Sequence, residues 1–127
     1  MKPRILVVED NPLNRELLCD WLETEGYEVA STADLKVAFE LVRSQKPQAV
    51  LLDIQVGADD GLVLATWIRE EPNFREIPVI AVTAHAMADE RKRILEGGCN
   101  ACLSKPIDFV ALQKQLHIFL HRSQRTI

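Results

Sequence analysis

The chain reads as a doubly wound α/β domain, a five-stranded parallel sheet carrying five helices on its two faces. Four short aliphatic runs, Ile5–Val8, Ala49–Leu52, Val79–Val82 and Ala101–Ser104, have the length and continuous apolarity of strands buried on both faces. The segments between them place apolar residues at helical spacing. Strand and helix alternate from end to end, and right-handed crossovers then put helices on both sides of one sheet.

After the first strand, Asn11 is placed to cap a helix with Pro12 at its first position. Leu13, Leu17, Leu18, Trp21 and Leu22 repeat along that helix as its inward side, and Gly26 ends it. Tyr27 to Ala30 reads as a short second strand. Leu35, Ala38, Phe39 and Val42 mark the next helix, closed by Lys46-Pro47. Asp53 ends the third strand; residues 55–59 read as loop and Asp60 as the cap of a helix built on Leu62, Leu64, Ala65 and Ile68. Pro72 to Pro78 leads to the fourth strand, which ends at Thr83. Met87 to Glu96 is a mostly polar helix with two apolar anchors, Ile94 and Leu95, stopped by Gly97-Gly98. The last helix starts near Asp108 and turns Phe109, Leu112, Leu116, Phe119 and Leu120 inward. Residues 1–127 form one domain on this reading, with a core over about 4–120 and a polar tail from 121. No repeat, linker or second domain is visible.

Fifteen basic residues against nineteen acidic ones leave a net charge of −4, which argues against a nucleic-acid or anionic-membrane surface. No stretch approaches the roughly 20 apolar residues of a membrane span. Glu9-Asp10 cuts the first apolar run too short for a secretory signal. Cys19, Cys99 and Cys102 show no disulfide-framework spacing, which fits a reducing compartment. The expectation is a cytoplasmic protein.

Each aliphatic run ends in a polar group: Glu9-Asp10, Asp53, Thr83 and Lys105. In an open parallel sheet, function collects beyond the carboxyl ends of the strands, so these groups converge on one rim. Two unit charges about 4 Å apart repel by roughly 4 kcal/mol at an effective dielectric near 20. Three gathered carboxylates therefore call for a cation or a retained proton. An all-oxygen set completed by water and phosphate oxygens suits Mg²⁺. Lys105 adds a point charge for a phosphoryl group and Thr83 a hydroxyl donor. A carboxylate facing such a group can act as its nucleophile, and Asp53, at the end of the central strand, is the candidate.

Val7-Val8-Glu9-Asp10-Asn11, Leu52-Asp53-Ile54-Gln55, Asp60-Gly61, Val82-Thr83-Ala84 and Leu103-Ser104-Lys105-Pro106-Ile107, in that order, resemble the receiver domain of two-component response regulators. The resemblance runs from about Arg4 to Leu120. It implies the flavodoxin-like strand order 2-1-3-4-5. It further implies that Asp53 accepts a phosphoryl group from a phosphohistidine on a histidine kinase or histidine phosphotransfer protein. Glu9 and Asp10 match the Mg²⁺-binding acidic pair, joined by Asp53 and the backbone carbonyl of Gln55. Lys105 matches the family lysine, with a cis bond to Pro106, and Thr83 the hydroxyl that moves toward the phosphoryl group. Output in such domains passes through the fourth helix, fifth strand and fifth helix to a downstream protein. The implied protein is a phosphorylation-activated switch that catalyses reactions only on itself. The alternative is a receiver-like interaction module that works without phosphorylation.

Two positions depart from the family pattern. Cys102 stands where Tyr or Phe is usual, so an aromatic rotamer switch cannot operate there. Gly57 replaces a common proline four residues past the acceptor, and Asp59 adds an acid to the same loop. Gln55 and His85 occupy the variable positions that tune signal lifetime. Other functions fit less well. A flavin carrier needs a phosphate cradle where Glu9-Asp10 would repel one, and a phosphatase for external substrates needs a cap too long for any loop here. Cys99, Cys102, His117 and His121 fit a C-x2-C-x14-H-x3-H zinc expression, but Cys102 opens a buried strand. The cysteines read instead as small buried hydrophobes.

Overall fold

The computed structural model describes the backbone of residues 2–124 and the side chains of residues 2–120. In chain order the elements are β1 (Arg4–Val8), α1 (Pro12–Thr24), β2 (Glu28–Thr32), α2 (Leu35–Gln45), β3 (Ala49–Asp53), α3 (Leu62–Glu70), β4 (Val79–Thr83), α4 (Ala88–Glu96), β5 (Ala101–Ser104) and α5 (Phe109–Gln124). The strands form one sheet, all neighbours parallel, in the order β2-β1-β3-β4-β5. This is the flavodoxin-like arrangement that the resemblance implies.

Side chains alternate across each strand, so every strand feeds two cores. Leu6, Val8, Val50, Leu52, Val79 and Ala81 pack under α2, α3 and α4. Ile5, Val7, Ala49, Leu51 and Ile80 pack under α1 and α5, against Leu18, Leu22, Leu112 and Leu116. β3 is buried along its whole length, which explains why its sequence shows no polar alternation.

Local chemistry sets the helix ends. The Asn11 side chain accepts from the Asn14 N–H, with Pro12 next to it. Asp34 caps α2 by accepting from the N–H groups of Lys36 and Val37. Asp108 accepts from those of Val110 and Ala111 at the start of α5.

Four expectations need correction. β2 runs over 28–32 instead of 27–30, because its partner in register is the whole of β1. Leu13 and Leu17 are not inward: they are 76% and 57% exposed, since α1 buries only Leu18 and Leu22. The segment after Asp53 is not plain loop but a two-residue antiparallel ribbon, Gln55–Val56 with Asp59–Asp60. Asp60 therefore lies in the ribbon and Gly61 takes the cap position of α3, although Asp60 Oδ1 still accepts from the Leu62 N–H at 3.0 Å. α5 continues to Gln124, while the side chains of the predicted polar tail lie outside the described residues.

Candidate functional site

The carboxyl ends of β1, β3, β4 and β5 open into a cleft of about 570 Å³ whose lining includes Glu9, Asp10, Asp53, Gln55, Thr83 and Lys105. Parallel register brings them there: Val8 pairs with Leu52, Asp53 with Val82, and Thr83 with Ser104. The acids, hydroxyl and amine singled out at the strand ends thus line one cleft. Carboxylate oxygens of Glu9, Asp10 and Asp53 lie within 4.8 Å of one another. Glu9 and Asp53 are buried, at 2% and 6% exposure, whereas Asp10 is more open.

Lys105 spans the two buried acids. Its Nζ lies 2.8 Å from Asp53 Oδ2 and 3.3 Å from Glu9 Oε1. The peptide bond from Lys105 to Pro106 is cis. The Gln55 N–H donates to Asp53 Oδ1 at 3.1 Å, and the Asn11 N–H to Glu9 Oε2 at 3.1 Å. Thr83, 3% exposed, accepts the His85 N–H on its Oγ1 at 3.1 Å, which orders the start of the loop before α4. Gly61 packs directly behind Asp53, where a Cβ would collide with the Asp53 carbonyl oxygen.

Charge is poorly balanced in this arrangement. Burial pushes the Glu9 carboxyl up to about 7, and the neighbouring Asp53 adds to the rise; the Asn11 amide and Lys105 pull the other way with less effect. Burial by itself would lower the Lys105 ammonium, but its bond to Asp53 and the two negative charges together hold it above its usual value. One lysine therefore does not neutralise three acids, and Glu9 meets the deficit by retaining a proton near neutrality. A divalent cation would meet it better. The donor set is all oxygen, closely spaced and open to water on the Asp10 side, which fits Mg²⁺.

Several contributors carried no sequence signal. The N–H of Gly57 donates to Asp10 Oδ2 at 2.8 Å. Arg15 donates to the Glu9 carbonyl oxygen at 2.9 Å. From α4, Arg93 bonds Asp60 at 2.9 Å and Glu90 at 2.7 Å on the cleft wall.

The zinc expression is not assembled. Cys99 and Cys102 are buried in the core beneath α2–α4, whereas His117 is exposed on α5, on the other face of the sheet. The His121 side chain lies outside the described residues. Burial pushes the Cys99 thiol up to about 12, which keeps it protonated and a poor ligand. Among the described residues no helix is long and apolar enough to cross a membrane.

Comparison with known proteins agrees with this geometry. The sequence matches the response regulator receiver domain over residues 5–117. It is 43% identical over 107 residues to the polar-differentiation response regulator DivK of Brucella anthropi, covering 84% of this chain and 87% of that one. Its structure is similar to the receiver domain of the sensor histidine kinase PA1611 from Pseudomonas aeruginosa, which has a magnesium ion coordinated in its active-site cleft. That match has a TM-score of 0.87 at 34% identity, covering 95% of this chain and 99% of the other. The receiver domain of a signal transduction histidine kinase from Syntrophus aciditrophicus gives a TM-score of 0.88 at 30% identity, over 98% and 95% of the two chains. The chain belongs to the response regulator receiver domain family of two-component signalling.

Proposed function

We propose that this protein is a cytoplasmic phosphorelay switch in which Asp53 accepts a phosphoryl group from a phosphohistidine, with Mg²⁺ bound by Glu9, Asp10, Asp53 and the Gln55 carbonyl. The observation that carries the reading is the salt-bridged pair of Lys105 and Asp53, 2.8 Å apart beside two further carboxylates at the end of the central strand. Mg²⁺ would supply charge neutralisation and ligation of phosphoryl oxygens. The chain's own groups do the rest. A carboxylate oxygen of Asp53 attacks phosphorus in line as the P–N bond to the donor imidazole breaks. Lys105 follows the negative charge from the carboxylate to the phosphoryl oxygens. Thr83 turns its hydroxyl toward the new group, which releases the His85 N–H and shifts the loop before α4.

The reactions are confined to this chain: transfer onto Asp53 and later hydrolysis, within a single domain spanning 1–127. The donor is a histidine kinase or histidine phosphotransfer protein. It docks on the α1 side of the cleft. Leu13 and Leu17 stand exposed on α1 beside a shallow groove of about 400 Å³ lined by Leu18, Pro106, Ile107 and Phe109, and Lys105 borders that groove. A protein bringing a phosphohistidine to Asp53 must cover that rim. Output is assigned to α4, β5 and α5, without an aromatic rotamer at Cys102.

Intact-mass analysis after incubation with Mg²⁺ and a small phosphodonor, or a phosphohistidine protein, tests this. One added phosphoryl group is expected in the wild type, none without Mg²⁺ and none in Asp53→Asn. No adduct from either donor, with Mg²⁺ binding demonstrated, would instead favour the phosphorylation-independent module.

A further inference from the structure

The ribbon after Asp53 leaves Gly57 and Ala58 as its two-residue loop. Gly57 has φ +62, and Ala58 is not among the residues with positive φ. A positive φ at the first central position alone matches a type II′ turn, which suits the twist of a hairpin and favours Gly, Asn or Asp there. The i→i+3 bond of such a turn joins its outer residues, Val56 and Asp59, and does not use the N–H of the first central residue. Here that N–H donates to Asp10 Oδ2 at 2.8 Å, linking residues 47 positions apart.

Ionised carboxylates offer two oxygens and about four lone-pair sites. One N–H on Oδ2 therefore fixes the rotation of the Asp10 group and leaves acceptor sites for a cation. The oxygens of Glu9, Asp10 and Asp53 are already gathered within 4.8 Å in this arrangement. Asp10 needs such a restraint most, because it is more open than the other two acids. A proline at position 57 could supply neither the N–H nor the φ.

We propose that Gly57 is a positioning residue for the cation site: its backbone N–H holds the Asp10 carboxylate toward Glu9 and Asp53 before the ion arrives. This rests on the reading of those acids as the Mg²⁺ site. It gives the glycine that replaces a common proline at this loop position a role in the cation site.

The test compares Mg²⁺ dissociation constants, by calorimetry, for wild type, Gly57→Asn and Gly57→Pro, with circular dichroism to check folding. Asn keeps the N–H and tolerates positive φ, so its affinity stays within about threefold of wild type. Removing a group that orients a metal ligand weakens binding by about tenfold or more, which is expected for Gly57→Pro. Amide hydrogen exchange supplies a readout that does not depend on the proline variant folding. Without Mg²⁺, the Gly57 amide exchanges more slowly in wild type than in Asp10→Ala. Equal affinity of wild type and Gly57→Pro, equal weakening in Gly57→Asn, or a Gly57 amide indifferent to Asp10→Ala would overturn the proposal. Failure of the wild type itself to bind Mg²⁺ would overturn the cation reading and this inference with it.

Discussion

Burial and the adjacent Asp53 lift the Glu9 carboxyl to about 7, against 4.5 for the same group in an unfolded chain. Between those values the folded state holds a proton that the unfolded state has released, so stability falls as pH rises. The contribution is fully present below about 4.5 and lost once pH passes about 7. Lys105 is also raised, but its contribution persists up to at least its ordinary 10.5, outside this window. Metal-free wild type should therefore lose stability from about pH 5 to pH 8 relative to Glu9→Gln, which has no proton to lose. Urea midpoints of the two proteins at several pH values measure the difference. A constant gap across the range would remove Glu9 as its source. Mg²⁺ at the upper pH should restore wild-type stability by binding only the folded state. At this scale the acids and Lys105 were legible as residue types at strand ends. The three acids called for a cation or a retained proton, but that Glu9 is the one to hold it was not legible, because this depends on burial and on a neighbour 44 positions away.

Among the described residues, α4 is the helix that buries the fewest side chains. Ile94 is its only buried residue, as its polar composition foretold, and Leu95, expected as a second anchor, is 49% exposed. Polar tethers supplement that anchor. Arg91 donates to the carbonyl oxygens of Ala86 and Cys102, so it joins the loop after Thr83 to β5 at the position lacking the usual aromatic. Arg93 reaches Asp60 and Glu90, but exposed ion pairs of this kind contribute about 1 kcal/mol or less. Truncating a buried isoleucine to alanine typically costs about 2–5 kcal/mol. Ile94→Ala should therefore open α4 preferentially, and hydrogen exchange should speed up more for α4 amides than for those of β3. Equal acceleration in both elements would mean that α4 unfolds only with the whole domain. Tethers of this sort have no sequence signature, since an arginine on a polar helix face is ordinarily solvated.

Across the whole molecule, sheet order decides which surfaces meet the site. β1 and β3 lie side by side at the centre, so α1 flanks the cleft on one side and the ribbon and α4 wall it on the other. On the proposed function, the phosphohistidine donor docks on the α1 side of the cleft. Leu17→Glu should slow phosphoryl transfer from a phosphohistidine protein by about tenfold or more, the loss of one interface hot spot. Phosphorylation by a small phosphodonor, which needs no docking surface, should be unchanged, and mass spectrometry follows both reactions. Equal effects on the two donors would place the defect in the site and not in docking.

Periodicity, helix caps and the polar residue ending each strand are local properties, and from them the sequence alone determined the α/β class, the element order and the roster of acids, hydroxyl and amine. Tertiary structure decided whatever depends on residues far apart in the chain. Lys105 meets Asp53 across 52 positions, and Gly57 meets Asp10 across 47. Leu13 and Leu17 fit an inward helical stripe, yet α1 fully buries only Leu18 and Leu22 against the sheet. Cys99 and Cys102 match a metal-ligand spacing, yet the sheet stands between them and His117. Spacing along a chain limits which groups can be neighbours; strand pairing and packing select which of them are.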